Sequence, residues 1–291
     1  MKITNRFGLP ESIVEAVKND PYNASSGREA DFSVTTLAIP SRIYALRKKN
    51  WEEITEDASD RLWSLLGQIG HGILERAGTA TYLEKRLYCE VGGKVISGQV
   101  DVVNKTSLED FKFCSRYVGS DGIKDEWISQ QSCYRLLCER NGIPITDAKI
   151  VAIYRDWSLA VASRSKDYPQ KQVEVFDVPL WSIEETEAWI ISRIQSHESA
   201  LKALPECTNE EKWQKPAKVA VMVKGQKRAK KLLDTKKWAE EYIAQEGLKN
   251  AYLEDRPSEP TRCLHYCPVS KFCSVHQQYM LTQQENNLDS Q

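Results

Sequence analysis

The stretch from 87 to 113 constrains the fold more than any other part of the chain. Leu87-Tyr88-Cys89 opens a strand, Gly92-Gly93 turns it, 95–103 runs outward as a second strand, 104–107 turns again, and 108–113 returns. Side chains alternate along a strand, so a short turn decides which residues meet across a hairpin. A turn about Lys105-Thr106 sets Asp101 opposite Asp110. Directly opposed residues have Cβ atoms about 4.5–5.5 Å apart. Two carboxylates at that distance repel unless a positive charge sits between them. A divalent cation meets the need, since Mg2+ takes one or two carboxylates together with water and phosphate oxygens. Lys112, two residues beyond Asp110, projects from the same face, where it can hold an attacking water or offset charge growing on phosphorus. Glu109 points to the other face. A lone Asp-x-Lys is most often a solvated pair on an exposed strand; the facing Asp101 and its Gly98-x-x-Asp101 context favour a site.

Around this hairpin the pattern is mixed. Residues 1–50 read as a helical lead-in, with a short helix opened by Pro10-Glu11-Ser12, a loop at 23–27 and a cap at Ser33-Val34-Thr35-Thr36. A helix at 59–77 carries an apolar stripe of Leu62, Leu65, Leu66, Ile69 and Ile73. Gly67, Gly70 and Gly72 interrupt it at about 1 kcal/mol each relative to alanine, which points to close approach on another face. His71 lies opposite the stripe, with Gly67 and Glu75 beside it. Neutral imidazole is a ligand for Mn2+-like ions, and Glu75 is a candidate outer partner or further ligand. A helix at 125–140 places Gln130 and Tyr134 on one face; both can bond a phosphate, and Tyr134 can stack on a base. The alternative is that its Trp127–Tyr134 side packs on the sheet. Strands at 148–155 and 172–178 and a helix at 183–203 complete an α/β pattern.

The four elements stand in the order Gly67/His71, Gly98/Asp101, Asp110/Lys112 and Gln130/Tyr134. That order resembles the PD-(D/E)XK nuclease superfamily in its RecB-like branch, which includes phage recombination exonucleases and CRISPR-associated cysteine-rich nucleases. The resemblance spans 67–134. It implies a restriction-endonuclease-like mixed β-sheet flanked by helices and metal-dependent hydrolysis of DNA phosphodiesters. It makes His71, Asp101, Asp110 and the Phe111 carbonyl ligands of Mg2+ or Mn2+, Lys112 the catalytic lysine, and Gln130 and Tyr134 substrate-side residues. The implied activity is a deoxyribonuclease, an exonuclease acting at DNA ends or single strands in phage-type recombination or repair. A recombinase or single-strand-binding protein is the expected protein partner. One departure is Phe113-Cys114-Ser115 after the lysine, where relatives often carry Thr or Ser at once.

From Pro205 the character changes, so residues 1–204 read as the nuclease core and 205–280 as a basic and cysteine-bearing region. The last residues, 281–291, rich in Gln and Asn, read as a disordered tail. Residues 215–237 hold nine Lys or Arg against one Asp. Such a run is usually a solvated face, but Lys224, Lys227, Arg228, Lys230 and Lys231 are candidate contacts to a DNA backbone, and Trp213 can stack on a base. The net charge of the whole chain is only -1, so any nucleic-acid surface is local. No signal-type or membrane-spanning apolar run is present, so the protein reads as cytoplasmic, in a bacterium or in the host of a phage. There eight cysteines do not read as a disulfide framework. Cys263, Cys267 and Cys273 are spaced as metal ligands, and Cys207 is the choice of fourth, with His265 and His276 as competitors. Thiolates suit either Zn2+ or iron–sulfur; the resemblance implies a 4Fe-4S cluster clasping the C-terminal segment. Cys114, Cys133 and Cys138 read as core residues. The rival reading is a non-catalytic DNA-binding or recombination accessory protein with a structural metal cluster.

Overall fold

The computed structural model describes residues 1–20, 30–74, 76, 78 and 81–288. Its chain divides into two compact units, Met1–Leu204 and Pro205–Gln291. The first holds β1 (Lys2–Thr4), α1 (Glu11–Lys18), β2 (Phe32–Ser33), α2 (Val34–Ala38), α3 (Ser41–Lys49), β3 (Thr55–Asp57), α4 (Leu62–Leu74), β4 (Tyr82–Val91), β5 (Lys94–Asn104), β6 (Ser107–Cys114), α5 (Asp125–Arg140), β7 (Asp147–Tyr154), α6 (Leu159–Ala162), β8 (Val173–Asp177) and α7 (Ile183–Lys202).

The main sheet runs β2-β5-β6-β7-β8, with β4 on the other side of β5. β6 and β7 are parallel, as the α5 crossover requires, while β4–β5, β5–β6 and β7–β8 are antiparallel. The expected α/β class, a mixed sheet flanked by helices, is the one found. α2, α5 and α7 supply Leu37, Leu136, Leu137, Ile190 and Ile194 to a core shared with Ile96, Val100, Leu108 and Ile150 of the sheet.

The β5–β6 hairpin has the register its turn predicts, Asn104 with Ser107, Val103 with Leu108 and Val102 with Glu109. Pairing stops there, one step before Asp101 and Asp110. On that same side of β5, Ile96 and Ser97 pair with β2. Among the described residues the intervening segment, Gly98 to Asp101, has no strand partner on that side, so the sheet is split at the carboxylates. Gly98 lets α5 close over the split: a Cβ there would lie 2.6 Å from Leu137 Cδ1 and 2.8 Å from Tyr134 Cε1.

α4 departs from the pattern its apolar stripe suggests. Leu65 packs on Val14, Val17 and Ala58, but Leu66, Ile69 and Ile73 are 50%, 58% and 52% exposed. The helix meets the sheet through Gly70, where a Cβ would stand 2.1 Å from the Phe113 ring. Close approach by the smallest residue, not burial of the largest, sets its orientation. Gly70→Ala is therefore expected to destabilise by about 1–3 kcal/mol through overpacking, despite a helix-propensity gain of up to about 1 kcal/mol. Phe113→Leu should relieve much of the loss; a higher melting temperature for Gly70→Ala alone would refute this packing.

α7 opens with a capping box between Ser182 and Glu185 and buries His197 completely. That imidazole stacks on Tyr44 with ring centroids 4.4 Å apart and bonds Ser41 Oγ and the Thr36 carbonyl. Burial lowers its pKa from 6.5 to about 4. Its contribution to stability is present above 6.5 and is lost as pH falls through 4, by at most about 3 kcal/mol. The fall in melting temperature between pH 7 and pH 4.5 should accordingly be shallower in His197→Asn than in the parent.

The second unit holds α8 (Asn209–Lys212), β9 (Gln214–Lys215), β10 (Lys218–Val223), β11 (Lys231–Leu233), α9 (Lys236–Gln245), β12 (Ala251–Arg256), β13 (Glu259–Pro260), α10 (Thr261–His265) and α11 (Ser274–Leu288). β10 is the centre of a three-stranded antiparallel sheet, with Val219 and Val221 packed on Ala239 of α9. Lys224, Lys227, Arg228, Lys230 and Lys231 are exposed at the β10–β11 turn and its edge. Others of the basic run are paired: Lys215 with Glu259, Lys218 with Asp234 and Lys236 with Asp255. The Gln- and Asn-rich end expected to be a disordered tail continues α11 to Leu288. No helix among the described residues is long and apolar enough to cross a membrane.

Candidate active site

β4, β5, β6 and α4 bring their polar side chains to the split in the sheet. The β4–β5 register runs through Leu83 with Val102 and resumes at Lys85 with Val100. Glu84 thus stands across from Asp101 where the pairing lapses. Its φ is +43°, a conformation that costs a non-glycine residue about 1–3 kcal/mol and persists where its surroundings demand it. The twist delivers Glu84 to His71, whose Nδ1 lies 3.2 Å from Glu84 Oε1 and 3.6 Å from Asp101 Oδ1. His71 Nε2 lies 3.2 Å from the Phe111 carbonyl oxygen. Gln99 donates to Glu84 Oε2 at 2.5 Å and accepts from Arg86 at 3.0 Å, which fixes the carboxylate. Asp101 Oδ2 accepts the Phe111 N–H at 3.0 Å, replacing the missing ladder bond.

The electrostatics are those of a site short of positive charge. Burial, then the neighbouring Asp110 carboxylate, hold the Asp101 proton well above the usual carboxylate range. The bond to Glu84 raises His71, and the same bond lowers Glu84. Both ring nitrogens of His71 face acceptors, which favours the protonated ring. One imidazole, two carboxylates and a carbonyl oxygen are a donor set suited to Mg2+ or Mn2+. Among the described residues, His71, Glu84 and Asp101 are the group whose ligand atoms all lie within 4.8 Å of one another.

Asp110 is turned instead to the lysine. It is buried at 2% exposure, and its Oδ2 lies 2.6 Å from Lys112 Nζ. Lys112 donates to Gln130 Oε1 at 3.2 Å, and Gln130 donates to the Tyr134 hydroxyl at 3.0 Å. Lys112 faces α5 while its neighbour Phe113 faces α4, the alternation of a strand. Tyr134 is 6% exposed, packs over Gly98 and accepts from Gln130 Nε2. Glu75 lies outside the described residues.

Sequence reasoning missed Glu84, because Glu84-Lys85-Arg86 reads as a polar loop ahead of Leu87. The signal was present: the Gly92-Gly93 turn, with strand pairing continued to its end, sets Glu84 opposite Asp101. We expect Glu84→Gln to weaken Mn2+ binding about 10–100-fold, measured by calorimetry; unchanged affinity would remove Glu84 from the ligand set.

In the second unit, the Cys207 thiol is pushed up to about 12 by burial, then Glu211, then Cys263, Cys267 and Cys273, so all four sulfurs are neighbours. Burial also raises Cys263 and Cys267. Cys133 and Cys138 are buried in the first unit's core, and Cys114 is half-buried.

No family model matches this chain, and no curated protein does. Among solved structures, SSO0001 is similar at 18% identity and a TM-score of 0.44, over 62% of this chain and 80% of its own. The alkaline exonuclease LHK-Exo of Laribacter hongkongensis is similar at 14% identity and a TM-score of 0.36, over 58% of this chain and 93% of its own. A second structure of LHK-Exo, in complex with dAMP, matches at the same identity and TM-score.

Proposed function

We propose that the protein is a divalent-metal-dependent deoxyribonuclease that hydrolyses phosphodiester bonds at DNA ends or in single strands. The observation that carries this reading is the meeting of His71, Glu84, Asp101 and the Phe111 carbonyl at a split in the sheet, with the Asp110–Lys112 pair beside them. When bound, Mg2+ or Mn2+ lowers the pKa of a water and offsets charge on phosphorus. His71, Glu84, Asp101 and the Phe111 carbonyl would hold that cation, while Asp110 is engaged by Lys112. Lys112 holds the attacking water and neutralises charge on a non-bridging oxygen. Asp110 keeps Lys112 aimed; Gln130 steadies its ammonium, and Tyr134 steadies Gln130.

Cys207, Cys263, Cys267 and Cys273 hold a 4Fe-4S cluster in this reading. The five basic residues at the β10–β11 turn then offer a salt-sensitive contact to the phosphate backbone.

Digestion of end-labelled single- and double-stranded DNA tests the proposal. Cleavage with Mg2+ or Mn2+, abolished by EDTA, is expected. DNA binding without cleavage under either metal would favour the accessory-protein reading.

A further inference from the structure

The helix that carries His71 also carries Trp63, two turns earlier and on the same row. Trp63, Gly67 and His71 stand at i, i+4 and i+8, so they line one face of α4 over about 12 Å. Trp63 is 58% exposed. The Arg155 guanidinium lies over its ring, 3.8 Å from the centroid. Arg155 follows β7, and its N–H donates to the carbonyl of Cys114, two residues beyond Lys112. The indole, carried on the helix of His71, is thus met by a residue whose backbone is bonded to the end of the strand of Asp110 and Lys112. Between Trp63 and His71 the lane is bare: a Cβ on Gly67 would meet nothing within 4 Å. A second guanidinium–aromatic pair stands at the same end of the sheet, with Arg116 4.1 Å from the ring centroid of Tyr117, itself 63% exposed. Asp156 ties the two pairs together by accepting from the Arg116 N–H at 2.8 Å.

We propose that Trp63, backed by Arg155, is a stacking station for a nucleobase two or three nucleotides from the scissile phosphate, reached across the bare backbone at Gly67. An exposed aromatic face suits a protein contact or a base equally; the guanidinium on it selects the base. It supplies cation–π polarisation to the ring and positive charge to the flanking phosphate. Only an unstacked base can lie there, so the station commits the site to single strands and frayed ends. This rests on the reading of the split sheet as a nuclease centre.

The test is a scan of one abasic position along a labelled single-stranded 12-mer, with binding to the wild-type protein measured in EDTA so that nothing is cut. At one position, loss of the base should weaken binding about tenfold or more. In Trp63→Ala that penalty should vanish, and in Trp63→Phe most of it should return. Equal penalties along the oligonucleotide, the same profile in Trp63→Ala as in the wild type, or no single-strand binding by the wild type each overturn the station. The two readings fail separately. If the wild type shows the Trp63-dependent position but cleaves nothing with Mg2+ or Mn2+, the nuclease reading falls and the station stands. If it cleaves and Trp63 leaves the scan unmoved, the station falls alone.

Discussion

Asp101→Asn is expected to lose cleavage by about a thousandfold or more, and at the same time to make the metal-free protein more stable at alkaline pH. The first effect follows because a bound metal supplies several kcal/mol to the transition state, and about 1.4 kcal/mol is tenfold in rate. The second follows from linkage. The folded state holds the Asp101 proton more tightly than the unfolded chain does, chiefly through burial and then through Asp110. That stabilisation is complete below the unfolded value near 3.8 and is lost as pH rises through the raised folded value. The metal-free wild type should thus lose more stability between pH 5 and pH 8 than Asp101→Asn does. Melting curves in EDTA at the two pH values, beside a cleavage assay with Mn2+, read both effects. A variant that cleaves like the wild type would sink the assignment of Asp101. Lys112 gives the complementary case. Lys112→Ala leaves the buried Asp110 carboxylate unpaired, at about 3–5 kcal/mol, so Lys112→Gln is the cleaner change. It should cut the rate about 10²–10³-fold while Mn2+ still binds.

Loss of the proposed cysteine-bound cluster should unfold the second unit and leave the first intact. Burial keeps the Cys207, Cys263 and Cys267 thiols protonated, so in its metal-free form the unit buries them with little in return. Binding of a structural metal is folding free energy, about 10–16 kcal/mol for small zinc domains. Cys263→Ser, or iron chelation under reducing conditions, is expected to abolish the second unit's unfolding transition and expose the α9–β10 segment to protease. Cys207→Ser should do the same; a protein in which it behaves like the wild type has its fourth ligand elsewhere. Anaerobically purified protein should be brown. A colourless protein with one equivalent of zinc would overturn the iron–sulfur assignment.

Local chemistry made the centre of this protein legible. Two-residue turns leave a strand one register, so Lys105-Thr106 was enough to pair Val102 with Glu109 and to aim Asp101 at Asp110. Period-two alternation placed Lys112 on the face opposite Phe113, and helical spacing put Gln130 and Tyr134 together. Three features were decided only by packing in three dimensions. Glu84 reaches His71 because its backbone is held at positive φ, a state that local propensity disfavours. α4 turns Leu66, Ile69 and Ile73 outward because only Gly70 admits the Phe113 ring, and a steric limit of that kind is invisible to a hydrophobic pattern. Asp110 faces Lys112, and not the His71 cluster, because a buried carboxylate takes the nearest cation. The two opposed carboxylates of the hairpin were therefore written in the sequence, whereas the partner each one chose was settled by which charges the fold brought within reach.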